Sequence, residues 1–316
     1  MRSAIAASRN AAREKIEGWQ ASDAYRAMAA ALDSAPGRDC DAVADAAETL
    51  LADSRWVGAL LAPLVEALSG DPFFEPPFRT SRDALRTSAI LFDCPAATLS
   101  GSIVSADAMA AMPPFETVII PGRMSVTRYV RSGGATLRRW RAEPLTPRFS
   151  SATASPCRAM ASIDPADGAV LRVDGRTEGV MLAKARRDVV TLSVAIRPGA
   201  DPLMREYRAA DGTLLRVASN DDGASRSEML LTFLARSGRT DAGDRFAAAT
   251  HDPAFHTRWS AMREWLRLDA ASALPRLREM AAGDANDDVR AAALRTLDAV
   301  QCGDAPEATT TKPCRA

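Results

Sequence analysis

ETVIIPGRMSVTRYVRSGGATLRRWRA, residues 116–142, is the most informative stretch of this chain. Three short runs rich in β-branched and aromatic residues occupy Thr117–Ile120, Ser125–Arg131 and Thr136–Arg141. Gly133-Gly134 separates the last two, so the rhythm is strand, turn, strand. Strand alternation puts Val126, Arg128 and Val130 on one face and Thr127, Tyr129 and Arg131 on the other. In the next run Arg138 shares a face with Thr136 and Trp140, and Arg139 with Leu137 and Arg141. Between Arg123 and Arg148 there are seven arginines against Glu143 alone. Arginine therefore stands among the apolar positions of an expected inner face, where a guanidinium is costly unless paired. Internal carboxylates can pair it, a solvated face can relieve it, or an anionic ligand can. The candidate ligand-binding set is Arg128, Arg138, Arg139, Tyr129 and Trp140. Nucleic acid is the weakest partner, because Tyr129 and Trp140 are the only interleaved aromatics.

The same rhythm extends over 88–236. Further strands are expected at Ala89–Phe92, Thr98–Val104, Ala169–Val173, Gly179–Ala183, Val189–Ile196, Leu203–Ala209, Leu214–Ala218 and Glu228–Leu234. Asp174-Gly175 and Asp211-Gly212 are expected to close tight hairpins, since φ > 0 is cheap at glycine. Short strands at this density predict an antiparallel jelly roll.

Outside 88–236 the period changes. Residues 1–87 read as helical. Ile16, Trp19, Tyr25, Met28 and Leu32 keep helical spacing, with Gly18 as a break and Ser22 as an N-cap. Residues 35–37, Ala-Pro-Gly, end this unit, and one helical stretch, kinked at Pro63, is expected over 41–69. DPFFEPPFRT, residues 71–80, reads as a connector. Residues 240–300 hold an internal repeat: Asp252 to Trp265 aligns with Asp284 to Leu297, matching Asp252 with Asp284 and Arg258 with Arg290. With AASALPRLREMA between the copies, this resembles HEAT-like helical repeats and implies a helical cap able to engage a protein partner. Residues 301–316 read as a disordered tail.

The passages LFDCPAATLSGSIV, ETVIIPGRMSVTRYV and MREYRAADGTLLRVAS give 88–236 a hairpin order that resembles the cupin superfamily. Metal-dependent cupins carry two His and a Glu on one hairpin and a further His later. Imidazole is the donor that suits their metals. The two histidines of this chain are His251 and His256, and Ser88–Arg236 holds none. No metal and no cofactor are therefore expected.

Composition narrows the rest. The 316 residues carry 40 basic and 40 acidic side chains, a balance unlike that of a dedicated nucleic-acid binder. The longest apolar run, Trp56 to Val65, is too short to cross a bilayer. The 5 cysteines include no C-x-x-C, and the first residues lack the apolar core of a signal peptide. A cytoplasmic protein is expected. Nucleophile-elbow, P-loop and dinucleotide-binding motifs are absent. The expectation is an α+β protein with a jelly-roll, cupin-like core, a helical N-terminal region and a helical-repeat cap. It is expected to be a non-catalytic binding or regulatory module for an anionic small molecule or peptide. The alternative is a metal-independent enzyme of isomerase, lyase or peptide-tailoring type.

Overall fold

The computed structural model describes residues 12–33, 39–71, 73–146, 148–220 and 222–301. The expected break at 35–37 lies outside them, as does the expected tail from residue 302 onward. The chain divides into two compact units, one up to Pro144 with Pro156–Leu215, the other Leu145–Ser155 with the residues from Arg216 on.

In the first unit, helices precede strands. Residues 12–20 are helical (α1), followed by α2 (Asp23–Leu32), α3 (Cys40–Ala52) and α4 (Arg55–Gly70). Ser22 caps α2 as expected, its side chain accepting the Tyr25 N–H. The single helix expected over 41–69 is two helices. The Asp53 carboxylate accepts the Arg55 backbone N–H at 2.9 Å and interrupts the ladder. Pro63 is accommodated inside α4.

The strands are β1 (Arg79–Arg82), β2 (Arg86–Asp93), β3 (Ala97–Val104), β4 (Thr117–Ile120), β5 (Met124–Arg131), β6 (Thr136–Arg141), β7 (Arg158–Ile163), β8 (Val170–Asp174), β9 (Glu178–Lys184), β10 (Val189–Ile196), β11 (Leu203–Arg208) and β12 (Leu214–Ser219). A short helix, α5 (Ala106–Ala111), follows β3. They form a six-stranded sheet β1-β2-β3-β10-β5-β8 and two three-stranded sheets, β12-β11-β4 and β7-β6-β9. β1–β2, β2–β3, β3–β10, β10–β5, β5–β8, β4–β11, β6–β7 and β6–β9 pair antiparallel. The fold class is α+β with a jelly-roll core.

The six-stranded sheet is covered on one face by the N-terminal helices. Leu99, Val126, Val194 and Ile196 from β3, β5 and β10 join Met28, Leu32, Val43, Leu51 and Leu60 in one buried cluster. The apolar face of β5 expected to look inward is thus the face turned to the helices. A sheet covered on both sides spends its most apolar face where the contact is driest.

Asp211-Gly212 turns between neighbouring β11 and β12 with Gly212 at φ 74°. Asp174-Gly175 does not close a hairpin, since β8 and β9 belong to different sheets. Gly175 is required for space: a Cβ there would lie 2.3 Å from the Arg123 carbonyl oxygen.

The second unit is helical: α6 (Asp222–Arg236), a 3₁₀ turn at Thr240–Ala242, α7 (Gly243–Ala249), α8 (Phe255–Leu268), α9 (Ala270–Gly283) and α10 (Asp287–Gln301). The strand expected at Glu228–Leu234 is part of α6. Its Glu, Met and Leu residues are strong helix formers, and Leu231 and Leu234 turn one side toward the core. The two aligned copies repeat at the level of single bonds. Asp252 and Asp284 each accept the backbone N–H two residues on, and Arg258 and Arg290 each donate to the carbonyl of the aligned Asp. The Leu145–Ser155 segment binds here too: Ser150 Oγ donates to Asp288 at 2.6 Å, and Asn286 Nδ2 to the Phe149 carbonyl at 2.9 Å.

Candidate ligand cavity

The other face of the six-stranded sheet lines a cavity of about 590 Å³, faced on the opposite side by residues of β4, β6 and β9. Hydroxyls dominate the sheet wall. Strand pairing sets Ser88 beside Ser102, Ser102 beside Thr191 and Thr191 beside Tyr129. One step along, Ser100 pairs with Ser193 and Ser193 with Thr127. Ser102 and Thr191 hydroxyls meet at 2.9 Å, and Thr127 and Ser193 at 2.8 Å. The facing wall is aliphatic, with Ile119, Leu137, Val180 and Leu182.

Two charged side chains reach this space. Glu178, buried on β9, is held by Arg139 Nε at 2.5 Å, with Arg141 at 3.7 Å. Arg86 stands on the wall at the start of β2 and is itself exposed. Asp83 takes its backbone N–H at 2.7 Å. Among the described residues, no carboxylate lies within ion-pair distance of its guanidinium. Burial pushes the Tyr129 phenol up to about 12, while the Arg86 charge acts in the opposite sense. Tyr129 therefore stays protonated at neutral pH and can donate.

The expected ligand-binding residues are dispersed. Tyr129 lines the cavity. Arg139 reaches it through Glu178. Arg128 lies on the helix-facing side of β5, where it donates to the Leu51 and Ala52 carbonyls at 2.9 and 2.8 Å. It satisfies the open C-terminal end of α3. Arg138 stacks on Phe115 and Trp140, 5.4 and 4.8 Å from the ring centroids. Trp140 is buried with Val118, Ile120 and Tyr207. Arg86 lies in the stretch 1–87 that reads as helical, so the sequence pattern does not single it out. Its one signal is the alternation of Arg86, Ser88 and Ile90, which share a strand face.

The donor set does not fit the transition metals of the resembled superfamily. The walls hold no imidazole or thiolate, and their carboxylate, Glu178, is engaged by Arg139. No cluster of three or more His, Cys, Asp or Glu able to hold a metal occurs among the described residues. The cavity offers hydroxyls, one phenol, one guanidinium and aliphatic surface, a set suited to binding a polar organic anion. No helix among the described residues is long and apolar enough to cross a membrane.

No family model matches this chain, and no curated protein sequence matches it. Solved structures do. Ectoine synthase from P. lautus is similar over 38% of this chain and 69% of its own, at 13% identity and a TM-score of 0.25. An RmlC-like cupin protein from Ralstonia eutropha JMP134 is similar over 48% and 78%, at 9% identity and 0.26. The capsular polysaccharide assembling protein CapF from Staphylococcus aureus is similar over 42% of this chain and 31% of its own, at 12% identity and 0.26.

Proposed function

We infer that this chain is a metal-independent, cupin-like binding module whose jelly-roll interior takes a small organic anion. The observation that carries this reading is Arg86: a guanidinium on a cavity wall that it shares with the protonated Tyr129 phenol, with no carboxylate within ion-pair distance among the described residues. A carboxylate or phosphate there gains charge-assisted hydrogen bonds without displacing an internal partner. Thermal stabilisation of the full chain by a panel of carboxylates and phosphates tests it. At least one acid should raise Tm, and Arg86→Met should abolish that rise. No shift across the panel, or a shift that survives Arg86→Met, overturns the reading.

The competing reading is a metal-independent enzyme, favoured by Tyr129 and Glu178 facing one space as acid and carboxylate. Chemical change of the bound acid, seen by mass spectrometry, selects it. The helical repeats are proposed to serve a protein partner, supported by exposed Met229, Leu230 and Phe233 on α6. Free, buried Cys40, Cys94 and Cys157 are in keeping with a reducing, cytoplasmic setting.

A further inference from the structure

We propose that the anion is a polyhydroxylated carboxylic acid; this class rests on the anion-binding reading above. The division between the two walls points to it. A hydroxyl carries one donor and two acceptor positions, so the Ser102–Thr191 and Thr127–Ser193 pairs each keep one donor and several acceptors for a third group. These pairs lie in successive rows across β3, β10 and β5, so the free capacity is a grid and not a point. A hydrocarbon acid would satisfy the aliphatic wall but displace water from the hydroxyl rows without replacing its hydrogen bonds, which is costly. A molecule with several anionic groups would find one guanidinium on the walls outside an ion pair, Arg86. A hydroxylated monoacid offers a matching group to each kind of surface. Its carboxylate faces Arg86 and Tyr129, its hydroxyls face the Ser/Thr rows, and its C–H face lies on Ile119, Leu137, Val180 and Leu182. Glu178, whose second oxygen lies 3.7 Å from Arg141, accepts a ligand hydroxyl.

Calorimetric titration of the full chain with gluconate, glucuronate, cyclohexanecarboxylate and sorbitol tests this. At least one of the two hydroxylated acids should bind about tenfold more tightly than cyclohexanecarboxylate, the worth of one or two added hydrogen bonds. Sorbitol should bind more weakly than that acid. Ser102→Ala combined with Thr191→Val should cost the hydroxylated acid about tenfold and leave cyclohexanecarboxylate unchanged. Thr191→Val alone, which keeps the side-chain shape, serves if the double variant loses its native circular dichroism. Equal or tighter binding of cyclohexanecarboxylate, or a preference untouched by the variants, overturns the assignment of ligand class while the anion reading stands. Sorbitol binding as tightly as the acids, or no binding by any acid, overturns both.

Discussion

Arg128 and Arg86 look alike in the sequence and do opposite work. Arg128 stands among valines, and its guanidinium is spent on the Leu51 and Ala52 carbonyls at the end of α3. Arg86 stands among polar neighbours and faces the cavity. The sign of a side chain's environment follows from which face the fold covers, and alternation alone does not say which that is. Arg128→Met should lower unfolding stability by about 2 kcal/mol, because two helix-end carbonyls lose charged donors. Its response to the stabilising acid should persist. Urea denaturation with and without that acid separates the two effects, and loss of the response would return Arg128 to the binding site.

At the scale of elements, legibility followed punctuation. Thr117–Ile120, Thr136–Arg141 and Val189–Ile196 match β4, β6 and β10 residue for residue. Each has Gly, Pro or Asp within two residues of one end. β1, with the exposed sequence RTSR, and β7, RAMASI, were not anticipated. Neither carries a period-2 apolar pattern, and each is an edge strand whose conformation comes from its neighbour. The hydroxyl rows were hidden for a related reason. Ser and Thr alternating with apolar residues ordinarily mark a wet face, and only sheet closure turns that face inward.

The aligned stretches Asp252–Trp265 and Asp284–Leu297 share a bonding pattern, and an ion pair links them. Arg258 donates to Asp284 at 2.5 Å, and both side chains are largely buried. Burial alone would raise the Asp284 carboxyl, but the Arg258 guanidinium and the Asn286 N–H outweigh it and hold it below the ordinary range. Its folded pKa is therefore below the unfolded value of about 3.9. The resulting stabilisation is complete above that value and is lost as pH falls through the folded pKa. Asp284→Asn should cost about 3 kcal/mol at pH 7. It should also flatten the decline of stability between pH 5 and pH 2, as followed by urea midpoints. An unchanged acid limb would remove Asp284 from that account.

For the whole molecule, the two units carry separate apolar cores. Leu99, Val126 and Leu60 belong to one, and Phe246, Trp265 and Leu277 to the other. Leu277 is fully buried, so Leu277→Ala should cost about 3 kcal/mol through lost transfer energy and a residual cavity. Scanning calorimetry should resolve more than one transition, with only one of them lowered by this change. A single transition that moves as a whole would show that the cores melt together.

The Leu145–Ser155 segment has a consequence for biogenesis. The chain passes from one unit to the other three times, at 144/145, 155/156 and 215/216. Ser150 and its acceptor Asp288 are 138 positions apart. During ribosomal synthesis the segment emerges long before α10 exists, and the strands from β7 onward must follow while it has nothing to bind. A fragment starting at residue 216 would expose Asn286 and Asp288 without their acceptor and donors, so dissecting this protein by simple truncation would produce a helical piece missing part of its own surface.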